Sequence, residues 1–125
     1  MAEIEFQNLF DKYGGVPTIT RIVRDFFQRI LADVTLRRYF DGVDHEQLIQ
    51  HQIELIAYTM GRPASTYDTA RLRVVHQPRR ISLTAYERVV AILRQVLLDA
   101  QVEGQDIVTI IDSLDAHRDK IVANL

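Results

Sequence analysis

The sequence predicts an all-α fold on three observations. Apolar residues recur at helical spacing along almost the whole chain, while the strict alternation of half-buried strands is nearly absent. Glycine, the sharpest local interrupter of regular structure together with proline, falls between the periodic stretches, at Gly14-Gly15, Gly42, Gly61 and Gly104. Finally, 125 residues with 47% hydrophobic and 26% charged side chains are enough for one domain with its own core. We read residues 1–125 as that domain, with no internal repeat, low-complexity tract or boundary.

The elements follow in order. Residues 4–12 form a short first helix, stopped by Gly14-Gly15. Pro17 suits a first helical position, and Ile19, Ile22, Val23, Phe26, Phe27, Ile30 and Leu31 then draw one helical stripe. A short turn carrying Leu36, Tyr39 and Phe40 ends at Asp41-Gly42. Asp44 is a suitable N-cap for a helix over residues 45–60, which Gly61-Arg62-Pro63 stops. Residues 62–70, rich in Pro, Ser, Thr and Asp, read as an ordered loop. Thr84 can cap a helix reaching about residue 100, with Val89, Val90, Ile92, Leu93, Val96, Leu97 and Leu98 as its apolar face. Gly104 separates it from a last helix, Ile107 to Leu125.

Composition narrows the functional classes. A net charge of −2 and a pI near 6.0 give no electrostatic reason to expect nucleic acid or an anionic membrane as partner. Cysteine is absent, so there is neither a thiolate nucleophile nor a thiolate metal ligand. Any metal must be held by His, carboxylate, Met or Tyr. No basic-then-apolar leader is visible at Met1-Ala2-Glu3-Ile4, and no run approaches the roughly 18 apolar residues of a membrane span. The expected location is the cytoplasm.

The chemistry concentrates on the helix over 45–60. Leu48, His51, Gln52 and Leu55 stand at i, i+3, i+4 and i+7 and share a face, with Ile49, Ile53, Ile56 and Met60 beside them. A buried imidazole and a buried amide each cost roughly 1–3 kcal/mol without partners. They must therefore pair with each other, backbone, water or a ligand. A satisfied core histidine is the plain alternative for His51. His76 closes the apolar-basic run Ala70-Arg71-Leu72-Arg73-Val74-Val75-His76, ahead of Gln77-Pro78, and one imidazole at such an end suits a single metal bond.

In order along the chain, Leu9-Phe10-Asp11-Lys12-Tyr13-Gly14-Gly15, Asp25-Phe26-Phe27-Gln28-Arg29-Ile30-Leu31-Ala32-Asp33 and Tyr39-Phe40-Asp41-Gly42-Val43-Asp44 are followed by three further segments. These are His51-Gln52, Ala57-Tyr58-Thr59-Met60-Gly61 and Leu72-Arg73-Val74-Val75-His76. This succession resembles the group I truncated haemoglobins, closest in motif to their cyanobacterial bis-histidyl members. The resemblance implies a two-over-two helical sandwich around haem b. It implies that His76 is the proximal iron ligand, in keeping with globin chemistry, and that Phe40 stacks on the porphyrin. Leu48 and Gln52 would face a bound gas, with Gln52 as the donor, and Arg73 would pair with a haem propionate or remain a solvated charge. His51 occupies the position that supplies an internal sixth iron ligand in the cyanobacterial members. His117 resembles, with a one-residue shift, the histidine that bonds covalently to a haem vinyl carbon there; a surface histidine is the alternative. His45 has no matching role and reads as exposed near a helix start.

Two departures bear on ligand handling. The family usually has Tyr where Phe27 stands, and Phe27 has no hydroxyl to donate, which costs a bound dioxygen about 1.5–3 kcal/mol. The usual Gly-Gly after the distal helix is here Gly61-Arg62. The resemblance thus implies a haem globin binding dioxygen, nitric oxide or carbon monoxide, with an unidentified reductase as partner, as a monomer or weak dimer. Nitric oxide dioxygenation or a peroxidase-like side activity would be its enzymatic extension. The alternative is a haem-based sensing or interaction module; a non-haem site of His45, His51, His76 and His117 lacks the carboxylates such sites use.

Overall fold

The computed structural model describes residues 8–61 and 81–116. Asn8 opens the first helix, α1 (Leu9–Lys12), its side-chain oxygen accepting from the backbone N–H of Asp11 at 2.8 Å. The N–H groups of Leu9 and Phe10 both donate to the carbonyl of Met60, at 2.9 and 3.3 Å. The first described turn is thereby tied to Met60, fifty residues on. Gly14 has φ of 103°, and a Cβ there would stand 2.5 Å from the Thr18 hydroxyl oxygen. Only glycine turns this corner without strain.

Helix α2 (Val16–Ala32) starts one residue before the expected position, so Pro17 lies at its second residue, where its missing N–H is still harmless. Ile19, Ile22, Val23, Phe26, Phe27 and Ile30 are buried as the stripe predicts. A short 3₁₀ helix, η1 (Arg37–Phe40), buries Phe40 and ends at Asp41. Helix α3 (His45–Thr59) is capped by Asp44, which accepts from Gln47 N–H at 3.1 Å. It buries residues on most of its circumference, Leu48, Ile49, His51, Gln52, Ile53, Leu55, Ile56 and Ala57 among them, the mark of a central helix.

Helix α4 (Leu83–Asp99) corrects the expected cap. Ser82, not Thr84, is the N-cap, accepting from Ala85 N–H at 3.0 Å, and Thr84 is exposed in the first turn. The buried neighbour Ile81 decides this: it precedes the cap and shares one cavity wall with Tyr86, four residues into the helix, as in a hydrophobic staple. Leu98, expected in the apolar face, is 47% exposed, because one residue beyond Leu97 rotates about 100° off the stripe.

The break before the last described helix lies at Gln101 rather than Gly104. Gln101 takes φ of 66°, its N–H donates to Leu98 at 3.0 Å, and Val102 N–H donates to Leu97 at 3.0 Å. That pair of bonds is a Schellman closure with glutamine in the left-handed position that glycine usually fills. Gly104 is instead the first residue of α5 (Gly104–Asp115). The remainder of the expected last helix, the first helix's residues 4–7 and the loop over 62–70 lie outside the described residues.

Helix α2 packs on α3 and α4 packs on α5, and the two pairs stack through α2 on α4 and α3 on α5. No strand occurs among the described residues. A cluster of Lys12, Tyr13 and Asp106 joins α1 to α5. Tyr13 Oη donates to Asp106 Oδ2 at 2.5 Å and accepts from Glu103 N–H at 3.0 Å, and Lys12 Nζ donates to the same carboxylate at 2.7 Å. The Lys12 ammonium, then the Tyr13 hydroxyl, hold the Asp106 carboxyl below the usual carboxylate range against the opposing effect of burial.

Candidate functional site

The stacked pairs line a largely apolar pocket, with about 580 Å³ of space between atoms when its open mouth is counted. Helix α3 contributes Gln52, Leu55 and Ile56, at the i, i+3 and i+4 spacing of one face; α2 contributes Phe26 and Ile30. Phe40, Ile81, Tyr86, Val89, Leu93 and Leu114 complete the lining.

Two side chains bring polar atoms to this wall. Tyr86 is 3% exposed, and its hydroxyl donates to Asp115 Oδ1 at 2.7 Å, joining α4 to α5. Gln52 is different. It is 6% exposed, and its Oε1 is buried with no hydrogen-bond partner among the described residues. An unsatisfied buried polar atom is uncommon in native interiors and costs roughly 1–3 kcal/mol. A half-turn about the last side-chain bond exchanges that oxygen for the NH2 group, so the amide can present either an acceptor or a donor. An apolar cavity with an aromatic wall and one unsatisfied amide suits a flat, apolar group that brings one polar atom to Gln52. These residues fit haem.

Of the residues singled out by sequence, the structure brings Phe40 and Gln52 together in this wall. Leu48 (3% exposed) and His51 (5%) are buried on α3, as their shared face predicts, yet neither belongs to the wall. Phe27 is buried behind Phe40, their rings edge to face at 5.5 Å, one layer back from the cavity. His76, Arg73 and His117 lie outside the described residues. No group of three or more His, Asp or Glu side chains able to hold a metal occurs among the described residues. Tyr86, Leu55 and Leu93 were not singled out as site residues. The signal for Tyr86 was present: it precedes Val89, Val90 and Leu93 by three, four and seven residues, a polar-tipped ring in an otherwise apolar stripe. Next to Phe40, Tyr39 is hydrogen-bonded to Ser82, which holds its phenol below the usual range against the effect of burial. This joins η1 to the start of α4.

The model of the bacterial-like globins matches residues 8–123. The chain belongs to the bacterial-like globin family. Membership implies a haem-binding globin, and the resemblance read from the sequence is borne out. Among curated relatives of this globin, the group 1 truncated haemoglobin GlbN of Mycolicibacterium paratuberculosis is 29% identical over 107 residues, covering 86% of this chain and 78% of its own. The protein of the same name from Synechocystis is 29% identical over 69 residues, 55% of each chain. Among solved structures, the ferric truncated haemoglobin of Tetrahymena pyriformis superposes with a TM-score of 0.82 at 18% identity, over 94% of this globin and all of that chain. A 2/2 haemoglobin from a Synechococcus species, solved in the cyanomet state with covalently attached haem, gives 0.78 at 21% identity over 92% and 98%. These likenesses show the fold: a truncated two-over-two globin. Among the described residues, no helix is long and apolar enough to cross a membrane.

Proposed function

We propose that this globin, acting as one domain in the cytoplasm, holds haem b in the cavity beneath Gln52 and binds a diatomic gas there. The observation that carries this reading is the buried Gln52 Oε1, without a hydrogen-bond partner among the described residues, in a wall whose other polar atom, the Tyr86 hydroxyl, is bonded to Asp115. Haem, when bound, supplies the iron at which dioxygen, nitric oxide or carbon monoxide attaches and through which electrons are exchanged with a reductase.

The residues divide the remaining work. His76 would ligate the iron and Arg73 would pair with a propionate. Phe40, 5% exposed and already in the wall, packs on the ring. Gln52 would turn its NH2 group toward the ligand, with Leu48 buried one turn before it on α3, outside the wall. Because Phe27 offers no hydroxyl, Gln52 acts without the second donor that a tyrosine would supply, and ligand affinity is lower by about 1.5–3 kcal/mol. His51, adjacent to Gln52 and buried but outside the cavity wall, would have to swing in to serve as an internal sixth ligand, and would then compete with a gas. Such competition lowers apparent affinity by the fraction of open protein. His117 is the candidate for a covalent link to a vinyl carbon. Nitric oxide dioxygenation is the reaction best suited to one orienting amide and an external electron supply.

Absorption spectra of the ferrous protein test the distal assignment. Sharp, split visible bands in wild type that disappear in His51→Ala are expected, and a five-coordinate wild-type spectrum removes His51 from the iron. Haem that extracts completely into acidified organic solvent after reduction removes His117.

A further inference from the structure

Three rings run in a row from the cavity wall to the surface. Phe40 lines the cavity. Phe27 stands behind it with ring centroids 5.5 Å apart and planes at 80°. His45, exposed at the first position of α3, completes the row at 5.2 Å and 72° from Phe27. The His45 Nε2 also lies 3.3 Å from the carbonyl oxygen of Phe40. A carbonyl only accepts, so Nε2 carries the hydrogen and donates.

We propose that His45 is a positioning residue that holds the Phe27–Phe40 pair from the solvent side and so fixes the aromatic wall of the cavity. Its ring seats Phe27 from α2, and its N–H anchors the backbone of η1 at Phe40, so one side chain of α3 links three elements. The link supports a short element, since η1 is only four residues of 3₁₀ helix and such turns have poor hydrogen-bond geometry of their own. Edge-to-face rings and a side-chain hydrogen bond each add a modest directional contact, and here both act on the same wall. Phe27, kept one layer back, stays clear of the space facing Gln52. This inference rests on reading the cavity as a haem pocket.

Three variants separate the two contacts: His45→Ala removes both, His45→Phe keeps a ring, and His45→Gln keeps a donor. The haemin-loaded protein is mixed with excess haem scavenger and haemin release is followed. Release from His45→Ala is expected to be faster by roughly three- to thirtyfold, with His45→Phe and His45→Gln each intermediate and helical content unchanged. Release within twofold of wild type in His45→Ala overturns the proposal. If the alanine variant fails to fold, the other two carry the comparison, and wild-type rates in both overturn it. Nuclear Overhauser contacts between the His45 and Phe27 rings in wild type provide a readout independent of haem. Their absence overturns the clamp, whereas a chain that shows them yet takes up no haemin refutes the haem reading and leaves the clamp standing.

Discussion

Replacing Gln52 with leucine should move stability and ligand binding in opposite directions. The side chain is 6% exposed, and its Oε1 has no partner among the described residues; a buried acceptor left so costs roughly 1–3 kcal/mol. Leucine has nearly the same volume and sets methyl groups against the apolar atoms of Leu55, Ile56 and Phe40 that share the wall. The expected gain is about 1–2 kcal/mol after allowance for imperfect packing, which at a slope of ~2 kcal/mol per molar raises the urea midpoint by about 0.5–1 M. The ligated form loses its donor. A hydrogen bond to a partly charged ligand contributes about 1.5–3 kcal/mol, so dioxygen affinity falls ten- to over a hundredfold. Urea titration and ligand-dissociation kinetics on the same preparation read both effects. A lower midpoint would mean that the amide is already satisfied in the resting protein, and an unchanged dissociation rate would mean that it never meets the ligand. Either result refutes the reasoning.

Other predictions concern the frame around the cavity. Tyr13→Phe removes one donated and one accepted hydrogen bond at the α1–α5 junction and should cost about 1–2 kcal/mol in urea unfolding. Because Asp106 is held below its ordinary pKa by Lys12 and Tyr13, its contribution is fully present above the unfolded carboxylate value near 4. It is lost as pH falls through the lower folded value. Melting temperatures of wild type and Asp106→Asn should therefore differ at neutral pH and converge at strongly acidic pH; a constant gap would contradict the assignment. Gln101→Gly relieves a left-handed residue at φ of 66°. Glycine's larger unfolded-state entropy offsets part of the gain, leaving about 0.5–1 kcal/mol of added stability in thermal melts.

Much of the frame was legible because its signals are local. The α2 stripe from Ile19 to Ile30, the Asp44 cap and the stop at Gly61 each depend on residues within a turn or two, and each stands as read. The errors arose where two local signals competed and a distant contact decided. Ser82 and Thr84 are equivalent as hydroxyl caps. Ile81 chooses between them by lining a cavity whose other walls come from α2, η1, α3, α4 and α5. Gly104 drew the helix break because glycine is the expected left-handed residue, while Gln101 bears that conformation in its place. In the site, the i, i+3, i+4 rule gave the correct face of α3 but not which of its buried members reach the cavity. Gln52 does; His51, about 100° around the helix, does not. The Phe27 departure was visible as a missing hydroxyl, whereas its seat between Phe40 and His45 depends on three elements meeting in space.

Haemin titration tests most directly whether this globin holds haem through His76 in the cavity beneath Gln52. Purified chain should take up one haemin per molecule, with sharp absorption bands that His76→Gly loses and added imidazole restores. A wild-type chain that stays colourless in excess haemin, or a His76→Gly variant with an unaltered spectrum, would contradict it.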